Sequence, residues 1–112
     1  MEHKDEAFHQ KLRDLIPEIK EARINVLKKE TELKKVFWIE LVKAKDAGER
    51  SYNSQKSRAE ATVEYSEAAL NVVVTKANLD GLQTEKASVD MEFEIWRTKM
   101  ANLRMERSRY GA

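Results

Sequence analysis

Residues 61–110 read ATVEYSEAALNVVVTKANLDGLQTEKASVDMEFEIWRTKMANLRMERSRY, and their spacing decides the fold. Ala61, Tyr65, Ala68, Val72, Thr75, Leu79, Leu82, Lys86, Val89, Phe93, Trp96, Met100, Leu103, Arg107 and Tyr110 alternate steps of four and three. Twelve of these fifteen positions are apolar. A 3.5-residue repeat held over seven heptads gives an α-helix one apolar stripe suited to coiled-coil-like packing. At 1.5 Å per residue such a helix would be about 75 Å long, and it needs a partner to cover its stripe.

A matching stripe lies upstream. Phe8, Leu12, Leu15, Ile19, Ala22, Val26, Lys29, Leu33 and Val36 follow the same steps, with only Lys29 polar, and a lysine stem can still cover apolar surface. Pro17 falls inside this pattern. Proline removes an intrahelical hydrogen bond and clashes with the preceding turn, yet the phase is kept from Leu15 to Ile19. The pattern therefore predicts a kink, or a short leading helix docked beside the main one. Between the stripes, DAGERSYNSQKS at 46–57 is rich in small polar residues. Gly48 is placed to end the first helix in a left-handed conformation, and Ser51, Asn53 or Ser54 to cap the second. Gly81 falls mid-stripe, where glycine costs about 1 kcal/mol against alanine. It marks a weak point in one helix or a second turn. The expected organisation is a single all-α domain over 1–112, with helix one over about 5–47 kinked at Pro17, a turn over 48–57 and helix two over about 58–109.

Charge supports an antiparallel hairpin. Residues 11–45 carry ten basic and six acidic side chains, residues 60–94 two basic and eight acidic, and residues 95–112 five basic and one acidic. Folding back near residue 51 lays the basic first arm on the acidic second arm, and flanking charges of opposite sign set orientation in such packing. With the turn there, residue 8 mirrors about residue 94, so the stripe beyond, with Trp96, Met100, Leu103 and Tyr110, lacks an intramolecular partner. Phe37, Trp38, Ile39 and Val42 belong to a stretch that is apolar on every side, which one partner helix cannot bury. These eight residues are the expected self-association surface, in a homo-oligomeric helical bundle of closed symmetry. The other outcome is that the segment before Pro17 folds back and supplies the missing contact.

The 112 residues are 37% charged and 41% hydrophobic, with three Gly, one Pro and no Cys. That composition excludes disulfide frameworks and thiolate metal sites and argues against sandwiches, barrels and dinucleotide-binding folds. The first six residues are too charged for a signal peptide. The longest uncharged run, 68–75, is far short of the roughly 20 residues of a membrane span; a cytoplasmic protein without membrane contact is expected. No catalytic constellation emerges. His3 and His9 are six apart, the serines have no base placed to activate them, and the glycines are too scattered for a phosphate-cradling loop. The expectation is a non-enzyme without cofactor or metal.

Basic and aromatic residues interleave in two places, the pattern that holds single-stranded nucleic acid by its backbone and stacks its bases. One contains Lys34, Lys35 and Trp38, the other Arg97, Lys99, Arg104, Arg107 and Arg109. Trp38 lies off the first stripe and is the stacking candidate; Trp96 and Phe93 lie on the second and are assigned to packing. The rival reading is a structural or adaptor coiled coil, an assembly subunit that uses the same stripes to bind protein partners only.

The run Ser66-Glu67-Ala68-Ala69-Leu70-Asn71-Val72-Val73-Val74-Thr75-Lys76-Ala77-Asn78-Leu79-Asp80, continued by Glu94, Trp96, Met100, Leu103, Arg104 and Glu106-Arg107-Ser108-Arg109, resembles the phage UvsY-type recombination mediators. The resemblance covers about 45 of the 112 residues and rests on helical periodicity and a few polar positions. It implies an oligomeric, non-enzymatic protein that binds single-stranded DNA and helps load a RecA-like recombinase onto strands covered by single-strand-binding protein. It also implies a DNA- or partner-contacting role for Arg104, Arg107 and Arg109. The N-terminal arm with Pro17 and the Phe37-Trp38 pair has no counterpart in it.

Overall fold

The computed structural model describes residues 2–109, with side chains from Asp5 onward. Three helices follow in order: α1 (Glu2–Asp46), α2 (Tyr52–Glu60) and α3 (Val63–Arg109). The chain is all-α, a helical hairpin in which α1 and α3 pack antiparallel. It divides into two compact units: Met1–Ile19 with Gly81–Ala112 (unit 1), and Lys20–Asp80 (unit 2).

In unit 1 the core is built from the two predicted stripes. Phe8, Leu15 and Ile19 of α1 and Val89 of α3 are buried, and Leu12, Leu82, Lys86, Phe93, Trp96 and Met100 are half-buried. Phe8 meets Phe93 at 5.3 Å and Trp96 at 6.1 Å between ring centroids, and Phe93 stacks on Trp96 at 5.9 Å. The mirror of residue 8 is thus at 93–96. Trp96, expected to lack an intramolecular partner, packs on Phe8 instead. From Ala101 to Arg109 every residue is exposed, including Leu103 and Arg107 of the stripe.

In unit 2 the core holds Ala22, Val26, Leu41 and Ala44 of α1, Ala59 of α2 and Val72 of α3. The apolar block 36–42 divides: Phe37 is half-buried and meets Tyr65 of α3 edge-on at 6.2 Å, whereas Trp38, Ile39 and Val42 are exposed. Glu40 enters the inward face among these apolar residues and is paired with Lys43 at 3.2 Å.

α1 stays helical through Pro17, so no separate leading helix forms. Pro17 lies on an exposed face, which leaves the carbonyl its missing N–H cannot reach on the solvent side. α3 is likewise continuous through Gly81, and no second turn forms there.

The chain reverses over a shorter segment than the expected turn at 48–57. Gly48 has φ +104°, its N–H reaches the Lys45 carbonyl at 3.1 Å and that of Glu49 the Ala44 carbonyl at 3.2 Å. This pair of bonds is the Schellman termination that glycine allows. Ser51 caps α2, its Oγ accepting from the Ser54 N–H at 3.1 Å, so residues 52–57 are helical rather than turn. Glu49 organises the corner. Its carbonyl accepts from Gln55 Nε2 at 2.9 Å, and its carboxylate takes the Ser54 hydroxyl and faces Arg58 at 3.5 Å.

The second helical arm breaks instead at Ala61-Thr62. Thr62 Oγ1 donates to the Ala59 carbonyl at 2.9 Å and accepts from the Tyr65 N–H at 3.2 Å, closing α2 and capping α3 with one hydroxyl. Ala59 beneath it is fully buried. Thr62→Ala is expected to destabilise the protein by about 1 kcal/mol, whereas Thr62→Ser retains the hydroxyl and most of the stability. Paired urea melts followed by circular dichroism check this.

Candidate nucleic-acid interface

The residues singled out for nucleic acid fall into two groups, one in each unit. In unit 2 they lie on the outward side of α1. A helix brings positions three and four apart onto one face, and Leu27, Lys28, Thr31, Lys34, Lys35, Trp38 and Val42 are all exposed at that spacing. Trp38 is 61% exposed, and its ring is held edge-on by Phe37 at 6.0 Å. An inward Phe37, fixed by Tyr65, thereby orients an outward indole. Among the described residues no ion pair involves Lys28, Lys34 or Lys35, whereas Lys29 and Lys43 are paired with Glu32 and Glu40 of their own helix. Lys28 joins the candidates only in the folded chain. Its signal in the sequence is the same spacing continued back from Lys35.

In unit 1 the basic residues lie along the C-terminal part of α3. Arg97 is committed within the chain: its guanidinium pairs with Glu94 at 3.1 Å and sits 5.7 Å from the Phe93 ring centroid. Lys99, Arg104, Arg107 and Arg109 are exposed, and among the described residues none has an ion-pair partner. Arg104 and Arg107, three apart, share a helical face. Cations this close to a helix C-terminus also favour the macrodipole, which accounts for part of their clustering. Of the residues assigned to self-association, Ile39, Val42 and Leu103 are exposed with Trp38, Phe37, Trp96 and Met100 are half-buried in the intrachain packing, and Tyr110 lies outside the described residues.

The electrostatic basis of the hairpin is narrower than the net charges of the arms imply. Among the described residues one ion pair joins α1 to α3, Glu30 to Lys76 at 3.7 Å. It runs acid-to-base in the reverse sense to the net charges. An exposed pair of this kind contributes about 0–1 kcal/mol. Apolar packing, not cross-helix ion pairing, therefore holds the antiparallel register.

Among the described residues no three His, Asp or Glu side chains are grouped as a metal site. His9, beside Asp5 at 3.4 Å, packs edge-on against Phe93 at 5.3 Å. No described helix is long and apolar enough to cross a membrane. No protein-family model, curated protein or solved structure matches the chain.

Proposed function

We propose that this chain is a non-enzymatic, self-associating helical hairpin that binds single-stranded DNA without sequence preference. Trp38 provides the stacking surface, and Lys34, Lys35, Lys99, Arg104, Arg107 and Arg109 provide the phosphate contacts. The observation that carries this reading is the exposed indole of Trp38, held edge-on by Phe37 one helical turn after Lys34 and Lys35, lysines that have no carboxylate partner among the described residues. Base-on-aromatic stacking contributes about 1–3 kcal/mol per base, and phosphate neutralisation supplies the sequence-independent remainder. The role of a recombination mediator, loading a RecA-like recombinase in place of single-strand-binding protein, follows from the resemblance to the UvsY-type proteins. Exposed apolar residues on both long helices support self-association.

The test is titration of labelled oligonucleotide with wild type, Trp38→Ala, Lys34→Glu/Lys35→Glu and Arg104→Glu/Arg107→Glu, with assembly checked by light scattering. Trp38→Ala is expected to weaken binding about tenfold or more. Each charge-reversal pair is expected to flatten the dependence of log affinity on log salt by about 0.7 for every phosphate it no longer neutralises. Unchanged affinity in all three correctly assembled variants contradicts the proposal.

The same exposed apolar residues favour a second reading, an assembly subunit or adaptor that binds only protein. An oligomer that binds no DNA but retains a distinct protein partner stoichiometrically supports it.

A further inference from the structure

Resting on the self-association reading, a second stripe on α3 identifies the surface that a second copy covers. In unit 2 it comprises Val63, Leu70, Val74 and Ala77, all exposed. In unit 1 the same steps of three and four give Gly81, Thr84, Ser88, Met91 and Ile95 and run on through Thr98 and Asn102 to Met105, also exposed. From Leu70 to Ile95 each position lies two residues beyond a buried or half-buried one on the stripe that faces α1, Val74 after Val72 and Met91 after Val89, so it points to the far side of the helix. Thirteen positions are reached by these steps from Val63 to Met105. Only Glu67 among them is charged, in a chain that is 37% charged. Gly81 adds an independent observation. A Cβ placed there meets nothing within 4 Å, so no neighbour within the chain requires glycine at a mid-helix position that it weakens.

We propose that this stripe is a homodimer interface in which α3 of one copy lies antiparallel on α3 of a second, about a two-fold axis near Gly81 and Thr84. Such an isologous pairing must be self-complementary, and the sequence of the stripe is. Val74 faces Met91 of the second copy, and Leu70 faces its Ile95. The small residues Ala77, Gly81, Thr84 and Ser88 meet at the centre, where Gly81 permits close approach. Charge selects the same orientation. Residues 60–94 carry eight acidic and two basic side chains and residues 95–112 five basic and one acidic. Antiparallel pairing sets the acidic start of one α3, with Glu64 and Glu67, on the basic end of the other, with Glu64 beside Lys99 of the second copy. Parallel pairing would stack the acidic parts, with Asp80 beside Glu85. The outward face of α1, interrupted by Lys28, Lys34 and Lys35, stays free for DNA.

Sedimentation equilibrium on the full chain tests the pairing with wild type, Val74→Glu, Met91→Lys and the double variant, helix content being checked by circular dichroism. Both positions are exposed within the chain, at 58% and 66%, so neither substitution disturbs the intrachain packing. Each single variant is expected to raise the dimer dissociation constant by about a hundredfold or more, because it leaves an unpaired charge in the interface. In the double variant the introduced carboxylate meets the introduced ammonium across the axis, and most of the affinity is recovered. A wild type that stays monomeric at every concentration overturns self-association and this proposal with it. A wild-type oligomer indifferent to both single substitutions leaves self-association standing and overturns the proposal. Weakening in both singles without recovery in the double also overturns it, since residues 74 and 91 then do not face each other.

Discussion

Phe8→Ala is expected to lower stability by about 3 kcal/mol, the low end of the range for truncating a buried phenyl ring. Phe8 is 7% exposed and is the α1 partner of both Phe93 and Trp96. Its removal leaves a cavity between two aromatic rings and exposes one face of each. The low end applies because Phe8 lies in the early turns of α1, where local opening relieves part of the strain. Trp96 reports the effect: its emission shifts to the red as water reaches the indole. Unit 2 contains none of these rings, so hydrogen exchange of amides around Val26 and Val72 is expected to change far less than that around Val89. Uniform loss of protection along the chain would show that the two units do not open separately. A double-mutant cycle with Phe93→Ala is expected to give a coupling of about 0.5–1.5 kcal/mol, the usual aromatic-pair value.

Pro17→Ala is expected to act in the opposite direction and stabilise the protein by about 2 kcal/mol. Proline inside a helix is about 3 kcal/mol worse than alanine, because it removes one hydrogen bond and crowds the preceding turn. Against this, alanine frees the unfolded chain that proline had restricted, returning about 0.4–1 kcal/mol. The exposed position of Pro17 leaves room for an alanine without repacking, while Leu15 and Ile19 on the inward face are untouched. Thermal melts at matched protein concentration measure the gain. Concentration is matched because the proposed self-association would make the midpoint concentration-dependent. No gain would mean that Pro17 sets a bend on which the packing of Leu15 and Ile19 depends.

The packing of the two long helices was legible because one physical rule governs it. From Phe8 to Val36 and from Tyr65 to Met100, every position on the two stripes is buried or half-buried. A strict 3.5-residue repeat leaves a helix little freedom over which face to bury. Gly48 was legible for an equally local reason, since only a left-handed residue ends a helix in that way. The break at Ala61-Thr62 was not legible. It contains neither glycine nor proline and depends on one threonine hydroxyl serving two helix ends.

The aromatic residues were the hardest to place. Val36-Phe37-Trp38-Ile39 is apolar at every phase, so spacing alone could not say that Phe37 turns toward Tyr65 while Trp38 points outward. A turn centred near residue 51 mirrors Phe8 at about residue 94 and leaves Trp96 without a partner. The aromatic contacts of Phe8 set the register instead, reaching from Phe93 to Trp96. Arg97 looked free in sequence because its partners, Glu94 and Phe93, lie on its own helix one turn back. Net charge by segment was also a poor guide to contacts: it indicated the antiparallel sense but not the pairing of Glu30 with Lys76 between α1 and α3.

Binding of single-stranded DNA by the exposed indole of Trp38 and the unpaired cations is the proposal on which the functional reading stands or falls. The most direct measurement is fluorescence anisotropy of a labelled oligonucleotide titrated with the full chain at low and high salt, the mass of each species being followed by light scattering. Binding by an oligomer is expected, with log affinity falling linearly against log salt and a slope of about −0.7 per phosphate engaged. A well-formed oligomer that leaves the anisotropy unchanged at low salt would contradict it and turn the search to a protein partner.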